Sequence, residues 1–303
     1  MMRPSVFLSA LILAFFAALP ARLAADEPFF FIQLSDPQMG MFSDNADFAQ
    51  DAANFEFAVA AVNRLRPAFV VITGDLVNKW GDAGQIAEFK RIAGKIDRAI
   101  PVHNAPGNHD VANLPTPALL DSYRQNFGPD YYAFRHGSFV GIVLNSTIIH
   151  TPEHVRPAYA AQEQWLRAEL AKAKAEHPRH LVIFQHHPWF IKAANEPDQY
   201  FNIPLERRTT YLGMFHEAGV KNLFSGHYHR NAEGRDGEIE MTTTGAVGKP
   251  LGGSKSGFRV VIVRDDRLEH QFYDLGDLPV KIELNPAPAK KAPAKKVPAK
   301  KTP

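Results

Sequence analysis

Cysteine is absent from all 303 residues. That excludes disulfides and a lipid-modified cysteine, so export does not depend on oxidation. Residues 1–25 hold no twin arginine either, which points to the general secretion route. No apolar run at the N-terminus is long enough to cross a bilayer: residues 6–19 supply about 14 residues where ~20 are needed. With Arg3 before it and the small Ala24 and Ala25 after it, this run predicts a signal peptide over residues 1–25, cleaved near Ala24 or Ala25. In a two-membrane bacterium the secreted product is periplasmic, without a transmembrane anchor. No basic stripe interleaved with aromatics occurs in the body of the chain, so nucleic acid is not expected as a binding partner. No internal repeat is found.

The formal charge of +2 misleads. Residues 285–303 (NPAPAKKAPAKKVPAKKTP) hold six lysines and the leader two arginines, which leaves 26 of the 34 basic residues against 32 acidic ones. The body is therefore near −6. The Lys/Pro/Ala-rich tail lacks the apolar content that offsets ordering entropy and is expected to be disordered. It serves either as a solubilising extension or as a weak contact with anionic envelope material.

Between those ends, residues 26–284 are 259 positions of a chain that is 45% hydrophobic, enough for a substantial core. Five apolar, strand-like runs each end in a polar turn: 29–38 (FFFIQLSDPQ), 69–75 (FVVITGD), 100–110 (IPVHNAPGNHD), 181–188 (LVIFQHHP) and 220–229 (VKNLFSGHYH). Helical spacing over 47–66, stopped by Pro67, and over 83–98 separates the first three, so these strands pair in parallel. A hairpin is predicted at 131–135 and 139–145, helices at 162–176 and 207–217, and strands at 181–185 and 220–225. Three further β runs follow, at 239–244, 258–264 and 268–273. The pattern implies two packed mixed sheets between helical layers. Residues 147–160, and 190–204 with Trp189, Tyr200 and Phe201, read as surface loops at the site edge that either hold substrate or merely connect.

In α/β sheets, ligands gather at the C-terminal strand ends. There this chain sets two carboxylates (Asp36, Asp75), two amides (Gln38, Asn108) and a choice of imidazoles. A lone Asp after a strand is usually a helix cap. Ser35-Asp36-Pro37-Gln38 together with Gly74-Asp75 reverses that reading, and Asp75 is placed to serve two ions. Strand alternation sends only one of His186 and His187 to the site, and sends His227 and His229 the same way. Two Asp, one Asn, one Gln and three His suit two borderline divalent cations (Mn, Fe, Zn or Co) rather than Ca. Such a pair binds a phosphoryl group and generates hydroxide. His109, beside Asn108 and not needed as a ligand, suits protonation of the leaving oxygen. Asp110 either orients that imidazole or caps the next segment. His103, His136, His216 and His270 are expected to be surface or structural.

These five motifs, in this order, resemble the calcineurin-like metallophosphoesterase family. Within it, Ser35-Asp36-Pro37-Gln38, Phe184-Gln185-His186, Tyr200-Phe201-Asn202 and 224–231 (FSGHYHRN) are similar to a branch of calcineurin-like phosphoesterase-domain phosphatases with an Asp-Pro-Gln first motif. Its members act on phosphoserine or phosphothreonine. The resemblance implies an α/β four-layer sandwich (α/β/β/α), one metal held by Asp36, Gln38, Asp75 and His229, and another by Asp75, Asn108, His186 and His227. It selects His186 over His187, which is left as a packing or supporting residue, and makes His109 the catalytic histidine. The implied activity is a metal-dependent phosphatase acting on phosphate esters, in which bound hydroxide attacks phosphorus; monoesters are favoured over diesters. Two departures stand out. Gln38 replaces the family's usual His, so that metal is expected to be held less tightly or to differ in identity, with Gln38 reaching it directly or through water. Gly74-Asp75-Leu76-Val77-Asn78-Lys79 lacks the Asp and Arg that support the catalytic His and the phosphate in the large cytosolic Ser/Thr phosphatases. The alternative these departures leave open is a degenerate metal- or phosphate-binding protein.

Overall fold

A computed structural model describes residues 27–285. The expected signal peptide and nearly all of the Lys/Pro/Ala tail lie outside them. Strand β1 (Phe29–Leu34) leads to helix α1 (Ala49–Leu65), then β2 (Val70–Thr73), α2 (Ala83–Ala93) and β3 (Val102–Ala105). The short α3 (Asn108–Val111) and α4 (Pro117–Phe127) precede the hairpin β4 (Tyr132–His136) and β5 (Phe139–Val143). Next come α5 (Ser146–His150), α6 (Arg156–Glu176), β6 (His180–Phe184), α7 (Leu205–Ala218), β7 (Asn222–Ser225), β8 (Ala232–Asp236), β9 (Ile239–Thr243), β10 (Gly257–Val263) and β11 (Leu268–Asp274).

Two mixed sheets form, in the orders β11-β10-β1-β2-β3 and β4-β5-β6-β7-β9-β8. In the first, β1, β2 and β3 are parallel, with Ile32 opposite Val70 and Val70 opposite Val102. In the second, β5, β6, β7 and β9 are parallel. Alternation along β1 then builds the layers. Phe30, Ile32 and Leu34 pack under α1 and α2, whereas Phe31 faces the opposite sheet with Phe69, Phe139, Phe184 and Phe224. The outer face of the second sheet packs under α6 and α7 through Leu166, Leu170, Tyr211 and Phe215. The result is the α/β/β/α sandwich expected from the sequence.

Several expectations need correction. Residues 147–160 are not a loop: α5 covers the start, and α6 begins at Arg156, six residues before the predicted helix, because Pro157 in its first turn fits a helix start. Helix α2 stops at Ala93 rather than Arg98: Gly94 is a poor helix former, and beyond it the Lys95 and Ile96 N–H groups close tighter turns onto the Ile92 and Ala93 carbonyls at 2.9 and 3.1 Å. Four β runs close the fold rather than three. The extra one, β8, is a polar edge strand (Ala232–Asp236) with only Gly234 buried, so it carries no apolar signal.

Candidate metal centre

The parallel pairing of β1 with β2 continues past the strand ends. The Asp36 N–H donates to the Gly74 carbonyl at 3.2 Å and the Gln38 N–H to the Asp75 carbonyl at 2.8 Å, which sets the two carboxylates side by side. Gly107 brings in the third loop. Its backbone is extended (φ −106°), so what it supplies is space: a Cβ there would collide with the carboxylate and amide of Asp75. That close approach lets the His109 N–H donate to Asp75 Oδ1 at 2.8 Å. Gly226 lies as tightly against Ser35 and Asp36.

Six of the seven expected donors are brought together by their side chains, though not always for the expected reason, and Gln38 adjoins them through its backbone bond to Asp75. Both β6 and β7 stop short of the imidazoles, at Phe184 and Ser225, so strand alternation does not aim them. His227 and His229 instead take left-handed backbone, with φ of 65° and 54°. They reach different sides of the cluster. His227 Nδ1 lies 3.1 Å from His186 Nε2, and His229 Nε2 lies 3.2 Å from Asp36 Oδ1. His187 sits behind: its Nδ1 meets Ser146 Oγ at 3.0 Å and its ring stacks on His150.

Each of the three imidazoles has its outer nitrogen on a backbone carbonyl. His186 Nδ1 lies 2.9 Å from Thr73, His227 Nε2 3.3 Å from Tyr200 and His229 Nδ1 2.6 Å from Lys249. A carbonyl only accepts, so these nitrogens carry the protons, and the lone pairs at His186 Nε2, His227 Nδ1 and His229 Nε2 point inward. Around His186 Nε2 stand Asn108 Oδ1 at 3.0 Å, His227 Nδ1 at 3.1 Å and Asp75 Oδ2 at 3.2 Å, acceptors facing acceptors. Gln38 Oε1 and Asp75 Oδ2 are buried without a hydrogen-bond partner. Such orphaned groups cost ~1–3 kcal/mol each unless a cation takes them up. Two donor groups result, Asp36/Asp75/His229 and Asp75/His186/His227, sharing Asp75. The residues thus fit a pair of divalent cations.

The electrostatics agree. Burial works against charge at Asp75, but His186, His109 and His227 together hold its carboxyl far below the usual range. Burial works against charge at His186 too, but Asp75 and Asp36 outweigh it and move the ring up to about 9, so a proton on Nε2 competes with a cation for that lone pair. His227 drops to about 3 through burial and the neighbouring His186. The cluster is anionic enough to hold positive charge even where no solvent reaches.

His109 is the one half-buried imidazole here, and its Nδ1 lies 2.7 Å from the Asn78 carbonyl. Asp110 does not orient that ring. Its Oδ2 accepts the Gly107 N–H at 2.7 Å and its Oδ1 the Leu76 and Val77 N–H groups at 2.9 and 3.1 Å. It therefore caps α3 and ties the second loop to the third. Burial and the nearby Asp75 push Asp110 up to about 8.

Three contributors carried little sequence signal. Gln33, fully buried in β1, stitches the sheets beneath the site: its Nε2 donates to Thr73 Oγ1 and to the Ser225 carbonyl, both at 3.0 Å. Glu196 and Arg208 brace residues 190–204, whose Tyr200 and Phe201 rings lie 5.0 and 5.6 Å from the His227 ring. Trp189 is core, stacked on Tyr211.

Comparison with known proteins gives the same picture. The family model described as calcineurin-like phosphoesterase matches residues 31–231. The human Serine/threonine-protein phosphatase CPPED1 is 36% identical over 283 residues, covering 88% of this chain and 90% of its own. The protein of the same name from Pongo abelii is 37% identical over 270 residues, covering 84% and 86%. Among solved structures, a dimetal phosphatase from Danio rerio superposes with a TM-score of 0.62 at 18% identity, covering 82% of this chain and 97% of that one.

Proposed function

This chain belongs to the calcineurin-like phosphoesterase family and is a metal-dependent hydrolase of phosphoester bonds, monoesters ahead of diesters; we propose the following division of labour among its residues. Asp36, Gln38, Asp75 and His229 hold one cation, and Asp75, Asn108, His186 and His227 the other. Two divalent cations, drawn from Mn, Fe, Zn or Co, supply when bound the positive charge that draws phosphoryl oxygens and makes water acidic. The carbonyls of Thr73, Tyr200 and Lys249 keep the three imidazole lone pairs turned inward before any cation arrives.

His109 donates its Nδ1 proton to the Asn78 carbonyl, which leaves Nε2 to carry a second proton to the departing alkoxide as the P–O bond breaks. That hydrogen bond is the observation that carries the reading. The Asn78 carbonyl gives the ring the acceptor that the absent aspartate would otherwise supply, which answers one of the departures behind the degenerate-protein reading; Gln38 and the absent Arg are the others. Replacing His109 with Ala should lower kcat on an aryl phosphate by ~10²–10⁴ while bound metal stays unchanged. Unchanged turnover would remove His109 from this role.

The substrate class we propose is the phosphomonoester of an aliphatic hydroxyl, as in phosphoserine and phosphothreonine. The names of the relatives at 36% and 37% identity support it. A screen of phosphopeptides, aryl phosphates, nucleotides and diesters, with metal analysis of the same sample, tests it; preference for diesters would overturn it. We also propose export by residues 1–25 to a periplasm, and weak contact of the lysine tail with anionic envelope material. Cell fractionation with and without residues 285–303 tests both, and a cytoplasmic product or an unchanged envelope fraction would dismiss the respective idea.

A further inference from the structure

Gln38 offers its site an amide, and an amide can face a cation with either end. Only the oxygen end is a ligand. In this structure the choice is settled by a chain of four carboxamides leading away from the centre. Gln38 Nε2 donates to Asn78 Oδ1 at 3.1 Å, and Asn78 Nδ2 donates to Asn45 Oδ1 at 2.8 Å. Gln85 Nε2 donates to the same Asn45 Oδ1 at 2.9 Å. At the far end, Gln85 Oε1 accepts the backbone N–H groups of Asn78 and Lys79 at 3.0 and 2.8 Å.

Those two backbone groups can only donate, so they fix the polarity of everything upstream. Gln85 must present its oxygen to them and hence its NH₂ to Asn45. Asn45 must then present oxygen, Asn78 must give it NH₂, and Asn78 is left with oxygen for the Gln38 NH₂. Gln38 Oε1, buried and without a partner, is thereby turned to the centre. We propose that Asn78 and Gln85 are positioning residues that hold Gln38 oxygen-inward. The same Asn78 carries the carbonyl beneath His109, so one residue serves both the cation side and the proton side of the site.

The proposal rests on Gln38 being a donor to the centre, which Gln38→Ala tests separately. Gln85→Glu swaps a single donor group for an acceptor. The carboxylate so introduced still accepts from Asn78 and Lys79, but now needs a donor from Asn45. Asn45, Asn78 and Gln38 must each reverse, which turns the Gln38 nitrogen inward. Adding Asn78→Asp should restore the order, because an aspartate accepts from Asn45 and Gln38 alike. The measurement is titration of metal-stripped protein with manganese(II) by calorimetry, with melting temperatures for each variant. Gln85→Glu is expected to weaken one of the two sites by ~10–100-fold, and the double variant to recover it. Asn78→Ala should weaken the same site, and it carries the test if Gln85→Glu does not fold. Loss of a cation in Gln38→Ala with wild-type affinity in Asn78→Ala or in folded Gln85→Glu would sink the proposal. Failure of the double variant to recover, while folded, would do the same. If Gln38→Ala itself binds normally, it is the reading of Gln38 as a ligand that fails.

Discussion

Five of the seven proposed donors, Asp36, Gln38, Asp75, His227 and His229, hold left-handed backbone, with φ between 41° and 65°. For residues other than glycine this costs of order 1–3 kcal/mol each, and it persists only where the surroundings impose it. The reason is geometric: a strand aims side chains up and down, whereas these must point along the sheet edge to a common spot. The glycines between them remove obstacles. Gly107→Ala should destabilise the fold by ~1–3 kcal/mol and displace Asp75; a Gly107→Ala protein with native melting temperature and both cations would contradict the close approach. His229→Ala should release the cation on the Asp36 side while the other remains, read by metal analysis. The donor types were legible in the sequence, because Asp, Asn, Gln and His cluster after apolar runs. Their left-handed conformations were not, since nothing local except the adjacent glycines announces them.

Among the elements, residues 190–204 show how a segment without helix or strand is held in place. Glu196 accepts the N–H groups of Ile191, Lys192 and Ala193 at 2.7–3.3 Å and the Asn202 amide at 2.8 Å. The buried Arg208 guanidinium donates to the carbonyls of Ile203, Ala194 and Glu196 at 2.8–3.0 Å. Lysine cannot reproduce that fork. Arg208→Lys should therefore cost ~1–3 kcal/mol and expose the segment to proteolysis, a change that limited digestion with and without metal will show. With Tyr200 holding the His227 ring through its carbonyl, the same variant should weaken metal binding on that side. Helices whose apolar spacing spans many turns, such as α1, were readable. Helix α4 was not: it buries only Leu120 and Tyr123, too few for a period to emerge.

Over the whole molecule, stability and site placement share one interface. Phe31 stacks on Phe69 at 4.9 Å and meets Phe184 edge-on at 5.6 Å, locking the two sheets face to face. Phe184→Ala should lower stability by ~3–5 kcal/mol, measured by denaturant titration, with loss of activity only on unfolding. Stability should also fall in acid. Burial moves His103 from an ordinary 6.5 down to about 4, so between those values the unfolded chain binds a proton that the folded chain refuses. The contribution of neutral His103 is complete above 6.5 and is lost as the pH drops toward 4. His103→Phe should flatten the melting temperature over that window; an unchanged slope would contradict it.

Parallel pairing of the first three strands, the donor types and the choice of chemistry could be read along the chain, because apolar runs ending in Asp, Asn and His are local signals. The folded arrangement of the strands was needed to show which ring nitrogen faces inward, which carbonyl supports His109 and which partner holds the Gln38 amide. Those depend on acceptors brought from other strands: Thr73 against His186, Lys249 against His229 and Asn78 against Gln38. A hydrogen bond between residues 20 to 113 positions apart leaves no period or spacing to read, and only the folded sheet edges place its two ends within 3.1 Å.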